Sequence, residues 1–211
     1  MKTALIIGGT GLVGKELTSL LLEDNRYDRV VLLLRSPLER VHEKLVQVEY
    51  NFNEPDHSLV KGDELFCCLG TTIKAAGSKA AFFKVDHDYI IQTATTAFQN
   101  GIKKMAMVSS LGANKRSRFF YNKTKGETEE SARQVGFQNL YIFRPSLLLG
   151  ERPVKRAGEM FATFLVKNIS FLVPGKYKAI HGRQVAKAMI DYMNSNRAGV
   201  CIVESDSMQL Y

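Results

Sequence analysis

Cysteine and histidine are scarce in this chain, and neither is spaced as a metal site requires. The 211 residues include three cysteines and four histidines, and no C-x-x-C pair occurs. An odd number of cysteines without that spacing argues against a disulfide framework and against a zinc centre. We therefore expect no metal ion, and we expect Cys67, Cys68 and Cys201 to be reduced thiols in a reducing compartment.

The chain also has no long uninterrupted apolar run. A helix that crosses a bilayer needs about 20 consecutive apolar residues, and no segment approaches that length. The apolar N-terminal stretch differs from a secretory signal, because glycines interrupt it and Lys15 and Glu16 follow too early. These absences predict a soluble protein of the cytoplasm with no membrane contact.

Basic residues are concentrated in the second half of the chain. The formal net charge is +8, and residues 101–211 carry 18 Lys and Arg against 8 Asp and Glu. A basic half can bind nucleic acid, but no run of five like charges and no recognised nucleic-acid motif accompanies it. We therefore expect no nucleic-acid partner. The same excess suits a phosphorylated cofactor together with an acidic substrate.

Apolar segments alternate with helical patterns along the whole chain. Strands are predicted at residues 3–7, 29–35, 44–50, 64–69, 103–108, 140–143 and 199–203. Helices are predicted at residues 15–22, 78–100, 119–135 and 183–193. This alternation is typical of an α/β fold with a doubly wound, mainly parallel sheet of Rossmann type. We expect one such domain over residues 1–211, with a small substrate-side extension at residues 151–178.

The first strand runs directly into a glycine-rich turn. Residues 8–14 read Gly-Gly-Thr-Gly-Leu-Val-Gly, which lets the backbone turn tightly and approach a pyrophosphate. The helix that follows presents free N–H groups and a positive dipole end to an anion. A glycine string alone also fits an ordinary turn, so the strand-turn-helix context is what favours a dinucleotide site. The predicted cofactor-binding residues here are Gly8, Thr10, Gly11, Leu12, Val13 and Gly14.

Ligands of such sheets bind outside the carboxyl ends of the strands. Arg35 ends the second strand, where NAD-binding proteins have an acidic residue, and its guanidinium can grip a 2′-phosphate. We therefore expect NADP rather than NAD, although Arg35 as a plain surface residue would leave the preference open. Further candidates for cofactor binding at these strand ends are Ser36, Phe52, Cys68, Leu69, Gly70, Thr71, Thr72, Pro145, Ser146 and Leu147.

A tyrosine and a lysine lie four residues apart near the start of the helix predicted at 119–135. That spacing puts Tyr121 and Lys125 on one helix face. A tyrosine ordinarily ionises at about pH 10, and a neighbouring ammonium lowers this value. Tyr121 is therefore a candidate general acid for a carbonyl oxygen. Ser109 and Ser110 end the fifth strand, and either hydroxyl could bind a developing alkoxide.

These motifs occur in the order found in the short-chain dehydrogenase/reductase superfamily, which the chain resembles over nearly its whole length. Residues 67–72, 109–114 and 121–127 resemble its atypical subgroup related to the Tat-interacting protein. The resemblance implies an NADP(H)-binding oxidoreductase with Ser109 or Ser110, Tyr121 and Lys125 as catalytic residues. It also implies that Lys125 holds the nicotinamide ribose. Two departures are a short serine-to-tyrosine spacing and the lack of an asparagine at the fourth catalytic position.

Several alternatives remain open at the level of sequence. A regulatory module whose NADP(H) occupancy controls a protein partner fits the glycine turn, although it has no need of Tyr121 and Lys125. Residues 151–178 mix basic and apolar side chains, which suits an amphipathic or anionic carbonyl substrate but also an ordinary core helix. His87 lies between two aspartates, and we expect it on a solvated helix face.

Overall fold

The structure, a computed structural model, describes residues 2–149, 175–195 and 197–211. Nine strands occur in these ranges: β1 Lys2–Ile7, β2 Tyr27–Leu34, β3 Leu45–Glu49, β4 Glu64–Cys67, β5 Lys104–Val108, β6 Asn139–Arg144, β7 Leu148–Leu149, β8 Ile180–His181 and β9 Gly199–Glu204. Seven α-helices accompany them: α1 Leu12–Glu23, α2 Ile73–Ala76, α3 Lys79–Phe83, α4 Tyr89–Gln99, α5 Phe120–Val135, α6 Gly182–Met193 and α7 Ser205–Met208. A π-helical turn, Lys84–Asp88, joins α3 to α4.

Seven of the strands form one parallel sheet in the order β3-β2-β1-β4-β5-β6-β9. The chain builds outward from β1 to β3, then returns to the other side of β1 and builds outward again from β4. The strand order therefore reverses between β1 and β4, which is where ligands of open parallel sheets bind. A small second sheet pairs β7 with β8.

Helices cover both faces of the sheet, as the alternation of apolar residues along each strand requires. In β1, Ala4 and Ile6 point into the cluster that contains α1 and α6. Leu5 and Ile7 point into the opposite cluster, which contains α4 and α5. The fold is thus the doubly wound α/β sheet of Rossmann type that the sequence predicts.

The predicted elements agree with the structure to within about two residues at most ends, but the short elements α2, α7, β7 and β8 were not predicted, and one predicted helix differs. The single helix predicted over residues 78–100 is divided into α3, the π-helical turn and α4. At the turn the N–H of Tyr89 bonds to the carbonyl of Lys84, five residues back. The predicted substrate-side extension, residues 151–178, lies outside the described residues except for its last four. No helix of the described residues is both long and apolar enough to span a bilayer.

Candidate active site

At two of its glycines, Gly8 and Gly14, the glycine turn leaves no room for a side chain. Gly8 has φ +78°, and a Cβ built there would lie 2.3 Å from the backbone nitrogen of Leu69. A Cβ on Gly14 would lie 2.1 Å from the carbonyl oxygen of Gly8. The turn, the first turn of α1 and the loop after β4 are therefore in backbone contact.

The N-terminus of α1 is left without a side-chain cap. Its N-cap is Gly11, which has no side chain to accept a capping hydrogen bond, and Leu12 and Val13 begin the helix. Exposed N–H groups at a helix start bind anions. A backbone cradle that a Cβ would fill and a free helix N-terminus together fit the pyrophosphate of a dinucleotide.

The loop after β4, residues 68–72, is hydrogen-bonded to the end of β1 and to the π-helical turn. The N–H of Cys68 donates to the Ile7 carbonyl oxygen, at 2.8 Å. Thr72 caps α2 by accepting from the N–H of Ala75, at 3.0 Å. The N–H of Thr71 donates to Oδ2 of Asp86, at 2.7 Å. The loop therefore connects the glycine turn to the π-helical turn that carries Asp86.

The candidates at the ends of β2 and β3 lie in different environments. Arg35 and Ser36 are exposed just beyond β2. The loop that follows β2 is held by the side chain of Gln47 in β3, which forms hydrogen bonds to the backbone N–H and C=O of Leu38. Phe52 is buried, with its ring 5.4 Å from that of Tyr89. Arg35 is thus available to an anion, whereas Phe52 can offer only part of an apolar surface.

The structure places Tyr121 and Lys125 on the first two turns of α5. The ring of Tyr121 packs on that of Phe82, with a centroid separation of 5.5 Å. Lys125 is buried, with 7% of its side chain exposed. A Cβ on Gly70 would lie 3.5 Å from Lys125 Nζ. Lys125 therefore lies beside the loop after β4, and Tyr121 lies one helical turn before it in α5.

Lys125 forms an ion pair that the sequence analysis missed. Its Nζ lies 2.7 Å from Oδ1 of Asp86, which is fully buried. Burial alone would lower the pKa of Lys125, but the charges of Asp86 and Tyr121 outweigh that effect and the pKa is raised. A signal was present, because Asp86 continues the buried stripe of Phe82 and Ile90 at helical spacing. An acidic residue on an apolar stripe indicates a partner for its charge.

The structure separates the two candidate serines. The hydroxyl of Ser109 donates to Oε1 of Glu129, at 2.5 Å. Glu129 is buried and receives two further hydrogen bonds from Arg144, at 2.9 and 2.6 Å. Ser110 is only partly buried, and its hydroxyl makes a long 3.3 Å contact with the carbonyl of Leu111. Ser109 thus belongs to a buried charge cluster, and Ser110 has the freer hydroxyl.

Residues 145–147 link the site to the small sheet. The carbonyl of Pro145 accepts from the N–H of Leu111, and that of Leu147 accepts from the N–H of Ile180, both at 2.9 Å. The hydroxyl of Ser146 donates to the Lys178 carbonyl and accepts from the hydroxyl of Ser205. The side chain of Ser146 is therefore occupied by protein groups, and its N–H donates to the Ser205 hydroxyl as well, at 3.2 Å.

The expected position of His87 is wrong. Its ring stacks on Phe83 at 4.5 Å, and its Nε2 lies 3.1 Å from Oγ of Ser131 on α5. The side chain is 19% exposed, so it lies between helices rather than on a solvated face. Among the described residues, no group of three or more His, Cys, Asp or Glu side chains is arranged to hold a metal ion.

Comparison with known proteins agrees with this geometry. Residues 8–148 match the protein family described as NAD(P)H-binding. Protein HTATIP2 of Rattus norvegicus is 36% identical over 167 residues, which span 76% of this chain and 69% of that protein. The mitochondrial protein FMP52 of Eremothecium gossypii is 33% identical over 217 residues, spanning 96% of this chain and 93% of that protein.

Solved structures show the same architecture. MoeE5 in complex with UDP-glucose and NAD superposes with a TM-score of 0.74 at 16% sequence identity, covering 98% of this chain and 79% of that chain. At this identity the likeness is one of fold. The matched family segment runs from the glycine turn through Tyr121 and Lys125 to the first residue of β7. The chain therefore belongs to the NAD(P)H-binding family and, with HTATIP2 as a relative, to the atypical short-chain dehydrogenases/reductases.

Proposed function

We propose that this protein is an NADP(H)-dependent oxidoreductase acting on a carbonyl compound or the corresponding alcohol. One observation carries the proposal: a tyrosine and a buried lysine share a helix face beside the loop of the dinucleotide cradle. A Cβ on Gly70 of that loop would lie 3.5 Å from Lys125 Nζ, and Tyr121 lies one helical turn before Lys125 in α5. A proton donor held at the edge of a cofactor site is what carbonyl reduction requires of the protein.

In this proposal the residues of the chain have separate roles. When bound, the cofactor supplies or accepts the hydride. Tyr121 transfers a proton to the substrate oxygen as negative charge develops there. Ser110 donates a hydrogen bond to the same oxygen, because the hydroxyl of Ser109 is already bound to Glu129. Lys125 holds the nicotinamide ribose, as in the family.

We propose NADP rather than NAD on the strength of Arg35. Its guanidinium is exposed at the end of β2, where a carboxylate would repel a 2′-phosphate. MoeE5 was solved in complex with NAD, so the preference needs a direct measurement. Fluorescence titration with NADPH and NADH is expected to show tighter binding of NADPH, and Arg35→Ala is expected to reduce the difference.

We also propose an anionic or amphipathic substrate, met on one side by residues 151–178. The support is the mixture of basic and apolar residues in that segment. MoeE5 was solved with UDP-glucose and with UDP-glucuronic acid. Both ligands are anionic, which favours an anionic substrate for this protein. A panel of neutral and anionic aldehydes and ketones with matched carbon skeletons tests this proposal, and we expect the anionic compounds to be turned over faster.

Replacement of the tyrosine tests the proposed chemistry. Tyr121→Phe keeps the packing on Phe82 but removes the proton donor, so we expect turnover of every accepted carbonyl to fall by about 100-fold or more. Tyr211→Phe is the matched control, because its hydroxyl bonds to Asp191 at the end of α6. The proposal is falsified if Tyr121→Phe leaves turnover unchanged.

A cytoplasmic location remains part of the proposal. The relatives named FMP52 are designated mitochondrial, which supplies a definite competing location. Fractionation of cells that express the full chain would separate the two. A regulatory module would instead show tight NADP(H) binding, no turnover across the carbonyl panel, and a protein partner whose affinity depends on the cofactor.

A further inference from the structure

The buried pair of Asp86 and Lys125 has features beyond those of an ordinary structural ion pair. Asp86 is held from three directions: its Oδ2 accepts from the N–H of Thr71, its carbonyl accepts from the hydroxyl of Thr128, and its Oδ1 lies 2.7 Å from Lys125 Nζ. Among the described residues, Oδ1 has no partner with hydrogen-bond geometry, so the charge of Lys125 is what compensates its burial.

Asp86 reaches this position through a local departure from α-helical geometry. It lies inside the π-helical turn between α3 and α4. Such turns are uncommon and occur frequently at functional sites. The bond from Thr71 ties the same carboxylate to the loop along the dinucleotide cradle. The carboxylate of Asp86 therefore contacts both the loop after β4 and Lys125 of the proposed site.

We propose that Asp86 is a positioning residue that holds Lys125 at the site and offsets its charge at Tyr121. This inference rests on the proposed function for the role of Tyr121, but its physical content is independent of turnover. An unpaired ammonium would strongly favour the phenolate of a neighbouring tyrosine. A neutral ion pair favours it less, because the two fields largely cancel at a distance. Asp86 thus offsets the field of Lys125 at the residue to which the proposed function gives the role of proton donor.

The groups that face this pair among the described residues are few. Tyr121 faces Lys125 from the same helix, and Cys67 faces both members of the pair from β4. Burial raises the pKa of the Cys67 thiol to about 12, so the thiol remains neutral while tyrosines ionise. Cys67 therefore adds no charge, and only Lys125 and Asp86 act on Tyr121 from this cluster.

Tyrosinate absorbance measured in the cofactor-free protein tests the proposal. The chain has no tryptophan and eight tyrosines, so subtracting the curve of a matched Tyr121→Phe protein isolates the titration of Tyr121. Asp86→Asn is expected to lower its midpoint by about 1 pH unit. Asp88→Asn is the control within the same turn, because Asp88 is half exposed and pairs with His87; its midpoint is expected to equal that of wild type.

A double variant completes the cycle and guards against misfolding. Lys125→Met alone leaves Asp86 unpaired and should raise the midpoint, whereas Asp86→Asn with Lys125→Met buries no charge and should return it close to wild type. A folded Asp86→Asn protein with a wild-type midpoint overturns the proposal. A double variant whose Tyr121 midpoint stays as high as that of Lys125→Met also overturns the proposal. The comparison of these two variants is the deciding test if Asp86→Asn fails to fold. Absence of turnover would contradict the proposed function and leave these midpoints unaffected.

Discussion

At the scale of single residues, the glycine turn contains positions with different physical demands. A Cβ on Gly14 would lie 2.1 Å from a backbone oxygen of Gly8, and neither atom can move away cheaply. A Cβ on Gly11 would lie 3.4 Å from the same oxygen, which is an ordinary contact. The fold therefore excludes a side chain at 14, and only a bound pyrophosphate would exclude one at 11.

These two positions give opposite expectations for alanine. Gly14→Ala should lower the free energy of unfolding by about 1–3 kcal/mol or more, as overpacking does. Gly11→Ala should fold normally but bind NADPH at least about tenfold more weakly, because the methyl group occupies the approach to the phosphates. Urea unfolding and fluorescence titration measure the two effects. Equal stability of both variants would contradict these separate roles for the two glycines.

The sequence could predict candidate residues whose proposed role depends on local spacing. The glycine turn, Tyr121 with Lys125, and the serines at the end of β5 all follow from patterns within a few positions. Asp86 and Glu129 were missed because each depends on a partner in another element of the fold. Asp86 pairs with Lys125, and Glu129 pairs with Arg144. For the same reason, the choice between Ser109 and Ser110 needed the contact with Glu129.

At the scale of elements, Glu129 joins the helix of the proposed site to the sheet. Arg144 in β6 binds both oxygens of this carboxylate, at 2.9 and 2.6 Å, and reaches Glu204 in β9 at 3.1 Å. Carboxylate and guanidinium pairs of this two-bond geometry are strong and directional. The hydrogen bonds from Arg144 to Glu129 raise the pKa of Arg144 further, so the guanidinium remains charged. The cluster fixes α5 against β5, β6 and β9.

Loss of Arg144 should therefore cost far more than loss of a second arginine near the same carboxylate. Arg144→Met leaves Glu129 buried without its main partner, and we expect a loss of about 3–5 kcal/mol in the free energy of unfolding. Arg133→Met is the control, because Arg133 lies 3.8 Å from Glu129 and is 31% exposed; its cost should be about 0–1 kcal/mol. Equal effects in urea unfolding would show that the cluster is not what anchors α5.

Periodicity predicted the elements well because nearly every one is amphipathic or fully buried. The strands of the sheet interior read as aliphatic runs, and α1 and α4 have one apolar stripe each, whereas the buried face of α5 is mostly polar. The π-helical turn did not show in that pattern. It is a change of backbone hydrogen bonding from the fourth to the fifth residue back, which the pattern of apolar residues does not register.

At the scale of the whole molecule, the buried ionisable groups predict how stability depends on pH. Burial raises the pKa of Cys67 from its ordinary value of 9.0 to about 12. Burial also raises the pKa of Tyr27, with Glu64 adding to it, and the pKa of Lys125 is raised by its partners against burial. Each group is protonated in both states at neutral pH, and in alkali the unfolded chain loses a proton that the folded protein keeps.

The free energy of unfolding should therefore be flat up to about pH 8.5 and then fall as pH rises. Each such group contributes a slope of up to about 1.4 kcal/mol per pH unit above its ordinary pKa. Cys67→Ala should reduce the slope between about pH 9 and about pH 10, where Cys67 titrates only in the unfolded chain. Urea unfolding at closely spaced pH values measures this, with the flat neutral region as internal control. An unchanged slope in Cys67→Ala would contradict the burial of this thiol.

The π-helical turn limits which insertions and deletions the chain can accept at residues 84–88. Each residue of an α-helix turns the chain by about 100°, so one extra residue sets α3 and α4 at different rotations. Phe82 of α3 meets Tyr121, while Ile90 of α4 faces the sheet. Deleting one residue within 84–88 would leave the composition almost unchanged yet turn one of these contacts away. Insertions and deletions should therefore be tolerated less well here than substitutions of exposed side chains.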